Sequence, residues 1–163
     1  KETRIEKEEN AGMLHDRLMH IGSETVVATL NLIESNKVNT TIQEDNEGIK
    51  TAYKLNKENC KIDWNQSAEN IYNLIRGLSP YPAAWCYFKD NSTEYNVKIY
   101  ESKIVTESHS KPIGSIVSTK KELKIAVQNG FIEILSLQFP GKKRMKTFEL
   151  LNGITFSENA IVA

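Results

Sequence analysis

The sequence predicts a mainly β fold: a small antiparallel barrel or curled sheet with one helix, preceded by two short α-helices and a linker. Short apolar runs separated by turn signals follow one another from residue 83 to residue 139, which is typical of consecutive antiparallel strands. These runs do not alternate with helical segments, as the strands of a parallel sheet would. A clear amphipathic helix lies just before them, within the stretch from Lys61 to Trp85.

This stretch combines a strand, a capped helix, a proline turn and a second strand. Ser67 is the expected N-cap of the helix. Its apolar residues have the spacing of one buried face and are Ile71, Leu74, Ile75 and Leu78. Gly77 and Pro80 are expected to end the helix. Arg76 lies beside the apolar face, so its guanidinium is expected to face water or a partner.

The strands expected after this helix are short. They are residues 83–88, the alternating run Tyr95, Val97 and Ile99, and residues 114–118, 123–127 and 131–139. Asn129-Gly130 is the strongest hairpin signal in the chain. Thr147 is expected to cap a short helix from Phe148 to Asn152, and the chain end is able to add one more strand at residues 161–162.

Three segments are predicted along the chain. Residues 1–35 are predicted to form two short helices that meet at Gly22, with Ser23 capping the second. Residues 36–60 are polar and form a linker, and residues 61–163 form the barrel. Two short helices cannot build a core of their own. They are therefore expected to pack on the barrel, on another chain, or on a domain outside this sequence.

Composition excludes several classes of protein. Apolar runs are too short to cross a membrane and no signal-peptide pattern opens the chain, so we expect a cytoplasmic protein without a membrane partner. Cys60 and Cys86 have no metal-ligand spacing and are expected to be free thiols. Residues 1–60 hold eight Lys or Arg against eleven Asp or Glu, whereas residues 61–163 hold thirteen against ten. The second part is thus the candidate for binding a polyanion.

The basic residues of the barrel fall into two groups. Lys142, Lys143, Arg144 and Lys146 follow the Pro140-Gly141 turn, and Lys120, Lys121 and Lys124 lie around the preceding hairpin. A loop this basic is suited to neutralise a run of phosphates, or it is a solvated loop that supports the short helix. If the sheet curls, both groups are able to border one groove with Arg76. The aromatic residues Trp64, Tyr81 and Trp85 are expected to pack in the core rather than stack on bases.

Motifs for catalysis are missing from the sequence. It contains no GxGxxG, P-loop, HExxH, GxSxG or CxxC. His109 has no carboxylate or Cys motif beside it, and the paired acids lie in polar segments. The sequence therefore predicts a binding domain with no catalytic or metal-ligating residues of its own.

The stretches IDWNQSAENIYNLIRGLSPYPAAW and GKKRMKTFELLNG resemble the C-terminal domain of the methionyl-tRNA formyltransferase family, and AGMLHDRL resembles the last helices of its catalytic domain. The resemblance implies an OB-like barrel that binds initiator Met-tRNA. An N-terminal catalytic domain, absent here, would transfer a formyl group from 10-formyltetrahydrofolate. That domain's Asn, His and Asp have no counterparts in this chain. The residues expected to bind tRNA are Arg76, Lys120, Lys121, Lys124, Lys142, Lys143, Arg144 and Lys146.

Two other classes remain open. Formyltransferases that act on nucleotide sugars, and formyltetrahydrofolate-processing enzymes, carry similar C-terminal barrels that need no tRNA. A purely structural module that stabilises a neighbouring domain or a dimer is the second. Basic residues scattered over opposite faces would favour the structural module.

Overall fold

The computed structural model describes residues 1–43, 48 and 50–163. Three helices lie within these residues: α1 (Ala11–Glu34), α2 (Ala68–Leu78) and α3 (Thr147–Leu151). The strands of the same part are β1 (Ala84–Asp90), β2 (Thr93–Val105), β3 (Ile116–Ser118), β4 (Leu123–Val127), β5 (Gly130–Gln138), β6 (Met145–Lys146) and β7 (Ile161–Val162).

The strands form one antiparallel sheet in the order β3-β4-β5-β2-β1-β7, with β6 also paired to β5. The two ends of this order meet, because Ser115 forms a bridge with Ile161 and the Val162 amide donates to the Gly114 carbonyl at 2.8 Å. The sheet is therefore nearly closed. This confirms the predicted small antiparallel barrel and agrees with its description as OB-like.

The barrel interior is filled by alternate side chains of its strands and by one face of α2. Phe88, Val97 and Ile99 are fully buried, and Ile71 and Ile75 of α2 join the same cluster. The apolar spacing of the helix thus predicted the buried face correctly. Its predicted N-cap is also confirmed, since Ser67 Oγ accepts from the Asn70 amide at 3.2 Å.

The Asn129-Gly130 pair lies at the turn between β4 and β5, as predicted. Val127 pairs with Gly130, so Gln128 and Asn129 are the two residues between the strands and Gly130 begins β5. Asn129 and Gly130 both have positive φ, 65° and 153°, a conformation that asparagine and glycine adopt more readily than other residues. A Cβ at Gly130 would lie 2.3 Å from the Val105 carbonyl oxygen on the neighbouring strand. Only glycine fits this position.

The predicted break between two helices in residues 1–35 is wrong. α1 is one helix of 24 residues that runs through Gly22. A single glycine costs a helix about 1 kcal/mol and does not have to end it. Ser23 caps nothing, because its hydroxyl donates to the His20 carbonyl at 2.8 Å within the same helix. The N-cap of α1 is Asn10, which accepts from the Met13 amide at 2.9 Å.

Smaller predictions also need correction. The strand expected at the start of the Lys61–Trp85 stretch is one parallel bridge between Lys61 and Trp85. α2 contains Gly77 and ends at Leu78, and the N-cap of α3 is Lys146 rather than Thr147.

The predicted linker has no helix or strand within its described residues, and positions 44–47 and 49 lie outside them. Its end is packed on the barrel, because Cys60 is buried and its carbonyl accepts from the Trp85 amide at 3.1 Å.

The segment before α1 is fixed to the end of α2. Arg76 Nη1 donates to the carbonyls of Glu9 at 2.9 Å and Glu6 at 3.3 Å. The Gly12 amide donates to the Ser79 carbonyl at 3.0 Å, and a Cβ at Gly12 would meet the Pro80 ring at 2.6 Å. Beyond this junction α1 has no buried residue.

Candidate nucleic-acid interface

Each predicted group of basic residues has a member beside the same edge of β5. β4 and β6 both pair with this strand, which places Lys124 opposite Glu133 and Lys146 opposite Ser136. Glu133 and Ser136 are three positions apart on β5, a distance of about 10 Å along a strand. The fold therefore brings together residues that are separated by 22 positions in the sequence.

Glu101 of β2 occupies the centre of the second group. Its carboxylate pairs with Arg144 through one oxygen and with Lys146 Nζ at 2.5 Å through the other. Arg144 is held further by a 2.9 Å hydrogen bond from Nε to Ser136 Oγ and by the Tyr100 ring, whose centroid lies 4.7 Å from its guanidinium carbon. One acidic side chain thus neutralises part of the charge of two of the predicted phosphate ligands.

Arg76 lies close to this cluster. It lines a cavity of about 350 Å³ together with Tyr100, Glu101 and Lys103. However, one of its terminal nitrogens is occupied by the Glu6 and Glu9 carbonyls, and Nε donates to Asn73 Oδ1 at 2.8 Å. Arg76 therefore connects the segment before α1 to α2 and has limited capacity for a further ligand.

Lys124 is surrounded by carboxylates. Glu122 lies 3.0 Å from its ammonium group, and this hydrogen bond raises the pKa of Lys124, as do the nearby Glu107 and Glu133. Glu133 also pairs with Lys103 at 3.1 Å. The charge of Lys124 is largely compensated within the barrel.

The other four predicted residues have a different environment. Lys120 and Lys121 lie in the turn between β3 and β4, and Lys142 and Lys143 lie in the turn after β5; all four are exposed. In the part of the chain that the structure describes, none of the four pairs with a carboxylate. Their charge is available to an anionic ligand. That any of the eight residues binds tRNA stays a prediction.

The expected burial of the aromatic residues is confirmed for Trp64 and Trp85 and is wrong for Tyr81. Trp64 and Trp85 are buried, with 5% and 8% of their surface exposed, whereas Tyr81 is 85% exposed.

Both cysteines are free and buried, and burial raises the pKa of both thiols. No group of three possible metal-ligating residues occurs in residues 1–43, 48 and 50–163. Within those ranges, no helix has the length and apolar character needed to span a membrane.

Residues 54–155 match the family described as the C-terminal domain of formyl transferases. Since this match covers more than half of the sequence, the chain belongs to the formyl transferase C-terminal domain family. Several relatives that resemble it are methionyl-tRNA formyltransferases. The protein of Flavobacterium johnsoniae is 65% identical over 161 residues, which is 99% of this chain and 51% of the relative.

More distant relatives carry the same name. The methionyl-tRNA formyltransferase of Flavobacterium psychrophilum is 57% identical over 99% of this chain and 51% of its own length. That of Bacteroides thetaiotaomicron is 44% identical over 92% of the chain and 48% of its own length. The chain therefore spans about half the length of the curated relatives it matches.

Among solved structures, a variant of HypX from Aquifex aeolicus has a similar fold. The TM-score is 0.65 at 15% sequence identity, and the alignment covers 95% of this chain and 28% of HypX. At this level of identity the likeness concerns the fold alone.

Proposed function

We propose that this chain is the C-terminal half of a methionyl-tRNA formyltransferase and that its barrel binds the backbone of initiator Met-tRNA. The absent N-terminal half would transfer a formyl group from 10-formyltetrahydrofolate to the methionine. Residues 61–163 form the tRNA-binding barrel, residues 36–60 the linker, and residues 1–35 the last part of the catalytic domain. The setting proposed is the cytoplasm.

The observation that carries the tRNA part of this proposal is the gathering of basic residues at one edge of β5. The exposed Lys142 and Lys143 continue directly into the cluster of Arg144 and Lys146, and Arg76 lines the adjoining cavity. A concentrated patch of this kind favours phosphates over a neutral ligand. By orienting tRNA, the barrel would bring the aminoacyl end to the catalytic half in a reactive geometry.

The tRNA proposal is tested by fluorescence anisotropy with labelled initiator tRNA. We expect the 163-residue chain to bind it, and the double variant Lys142→Ala/Lys143→Ala to bind at least about tenfold more weakly. A nucleotide sugar should not compete. Equal binding by the variant, or displacement of tRNA by the sugar nucleotide at micromolar concentration, would favour the other classes of formyltransferase barrel or a structural module.

The exposed apolar side chains of α1 support the assignment of residues 1–35 to the absent half. Val26, Leu30 and Ile33 repeat on one face of the helix and are 59%, 54% and 53% exposed. An apolar stripe of this length needs a covering partner, and about half of each relative is missing from this chain. We propose that the catalytic half covers it.

This assignment is tested by Leu30→Glu in two proteins. In the full-length enzyme the substitution should lower the melting temperature and the formyl-transfer rate. In the 163-residue chain, where the side chain is exposed, the melting temperature should stay the same. If Leu30→Glu leaves the melting temperature of the full-length enzyme unchanged, as it should in the 163-residue chain, the assignment is contradicted.

A further inference from the structure

A row of side chains crosses the outer face of the barrel on β1, β2 and β5. The register places Trp85 opposite Lys98 and Lys98 opposite Gln138. Successive strands are about 4.8 Å apart, so the row covers about 10 Å. Because neighbouring residues of a strand face opposite sides, Trp85 and Tyr87 point away from the interior that Cys86 and Phe88 fill. We call Lys57, Lys61, Trp85, Tyr87 and Lys98 the lysine-aromatic face.

Two lysines of this face are held over its aromatic rings. Lys57 Nζ lies 5.2 Å from the centroid of Trp85, and Lys61 Nζ lies 5.7 Å from Trp85 and 5.4 Å from Tyr87. The Trp85 indole N–H donates to the Lys57 carbonyl at 2.7 Å, which fixes the backbone beneath the first ammonium group. An aromatic ring attracts a cation without cancelling its net charge. These contacts position the lysines and leave their charge available.

Within the described residues, no ion pair compensates the charge of this face. Lys57, Lys61 and Lys98 are exposed, and no carboxylate of the described ranges forms an ion pair with them. Lys89 is the next residue of β1 on the same face after Tyr87. By contrast, it pairs with Glu94 at 2.9 Å. The lysine-aromatic face therefore resembles the exposed turn of Lys142 more than the Glu101 cluster.

The lysine-aromatic face is continuous with that turn. Lys98, Gln138, Pro140 and Gly141 line one shallow cavity of about 240 Å³, and Lys142 follows directly in the sequence. Lys98 also lines the neighbouring cavity of about 280 Å³ with Lys57 and Trp85. A single exposed track of five lysines thus runs from residue 57 across β2 to residue 143.

We propose that this track binds the sugar-phosphate backbone of RNA and that the lysine-aromatic face extends the tRNA-binding surface to β1. The inference rests on the proposed function and deepens it. Trp85 is 8% exposed and lies under two ammonium groups, so the ring positions cations and does not stack on a base. Ligand recognition here uses charge and spacing, which suits a repeated phosphate better than a single nucleotide.

The test compares two triple variants of the 163-residue chain in tRNA binding from 50 to 200 mM KCl. Lys57→Ala/Lys61→Ala/Lys98→Ala removes the exposed cations of the face. The matched control, Lys1→Ala/Lys37→Ala/Lys89→Ala, also removes three lysines, all of them outside the track. Lys1 and Lys89 pair with carboxylates, and Lys37 lies just after the end of α1. The slope of log affinity against log salt is negative, and we expect it to become shallower by about 2 to 3 in the first variant. In the control it should become shallower by less than about 1.

Three results would overturn the inference. The two triple variants could behave alike while Lys142→Ala/Lys143→Ala still weakens binding, which would leave the proposed function intact. All three variants could bind like the unmodified chain, in which case both proposals fail. Finally, acetylation mapping of the full-length enzyme could show these lysines protected without tRNA, which would mean that a protein surface covers them.

The single variant Lys98→Glu keeps the inference testable if the triple variant does not fold, because it leaves both lysine-ring contacts in place. It should weaken tRNA binding at least about tenfold at 50 mM KCl. Lys98→Arg should restore it. Unchanged binding by Lys98→Glu would also overturn the inference.

Discussion

Replacing Glu101 by Gln should strengthen tRNA binding, because this carboxylate competes with phosphate for Arg144 and Lys146. Both ion pairs are partly exposed, with side-chain exposures of 35% for Glu101, 39% for Arg144 and 53% for Lys146. Pairs of this kind contribute about 0.2 to 1 kcal/mol each. Freeing both cations therefore removes about 1 kcal/mol that a bound phosphate must otherwise overcome.

A gain of about 1 kcal/mol corresponds to about fivefold tighter binding. The slope of log affinity against log salt should also become steeper by about 1, since the surface gains one net positive charge. Anisotropy titrations at several KCl concentrations measure both quantities. Glu24→Gln is the matched control, because it removes a carboxylate on α1 that pairs with Lys1 and not with the basic residues of the barrel.

Weaker binding by Glu101→Gln would refute this reasoning. It would mean that Glu101 acts mainly by orienting Arg144 towards its ligand, and that loss of this orientation outweighs the released charge. An equal gain in the Glu24→Gln control would show that overall charge, rather than the local competition, controls affinity.

Three further predictions concern the barrel itself. Gly130→Ala should lower the free energy of unfolding by about 2 kcal/mol or more, because its Cβ meets a backbone oxygen at a positive φ; urea denaturation measures this, and an unchanged midpoint would contradict it. Ser67→Ala should cost about 1 kcal/mol through the lost N-cap, whereas Ser67→Asp, another good cap, should retain most of the stability. Cys60 and Cys86 should react with iodoacetamide at pH 8 only on unfolding, since burial raises both thiol pKa values and restricts access; rapid labelling of the native chain would disprove this.

Features that depend on neighbouring residues in sequence were predicted well. The N-cap at Ser67, the turn at Asn129-Gly130 and the strand from 123 to 127 all follow from local conformational preferences and period-2 alternation. The break at Gly22 failed for a physical reason. Glycine weakens a helix without forbidding it, and the residues on both sides of Gly22 continue the helical spacing.

Which basic side chains pair with a carboxylate could not be predicted from their order in the chain. Glu101 neutralises residues that lie 43 and 45 positions away in sequence, and such pairs form only when the sheet register is set. Lys57, Lys61 and Lys98 were missed because Lys57 and Lys61 lie at the end of the predicted linker and Lys98 is far from them in sequence. A signal was present, however: Trp85 and Tyr87 alternate with Cys86 and Phe88, which places the two pairs on opposite faces of a strand.

The most direct test of this account is the salt dependence of initiator tRNA binding by the 163-residue chain. If the five exposed lysines at 57, 61, 98, 142 and 143 each neutralise one phosphate, log affinity should fall linearly with log KCl with a slope of about −3 to −5. Affinity that is independent of salt, or the absence of binding at 50 mM KCl, would contradict a barrel that holds tRNA by its backbone.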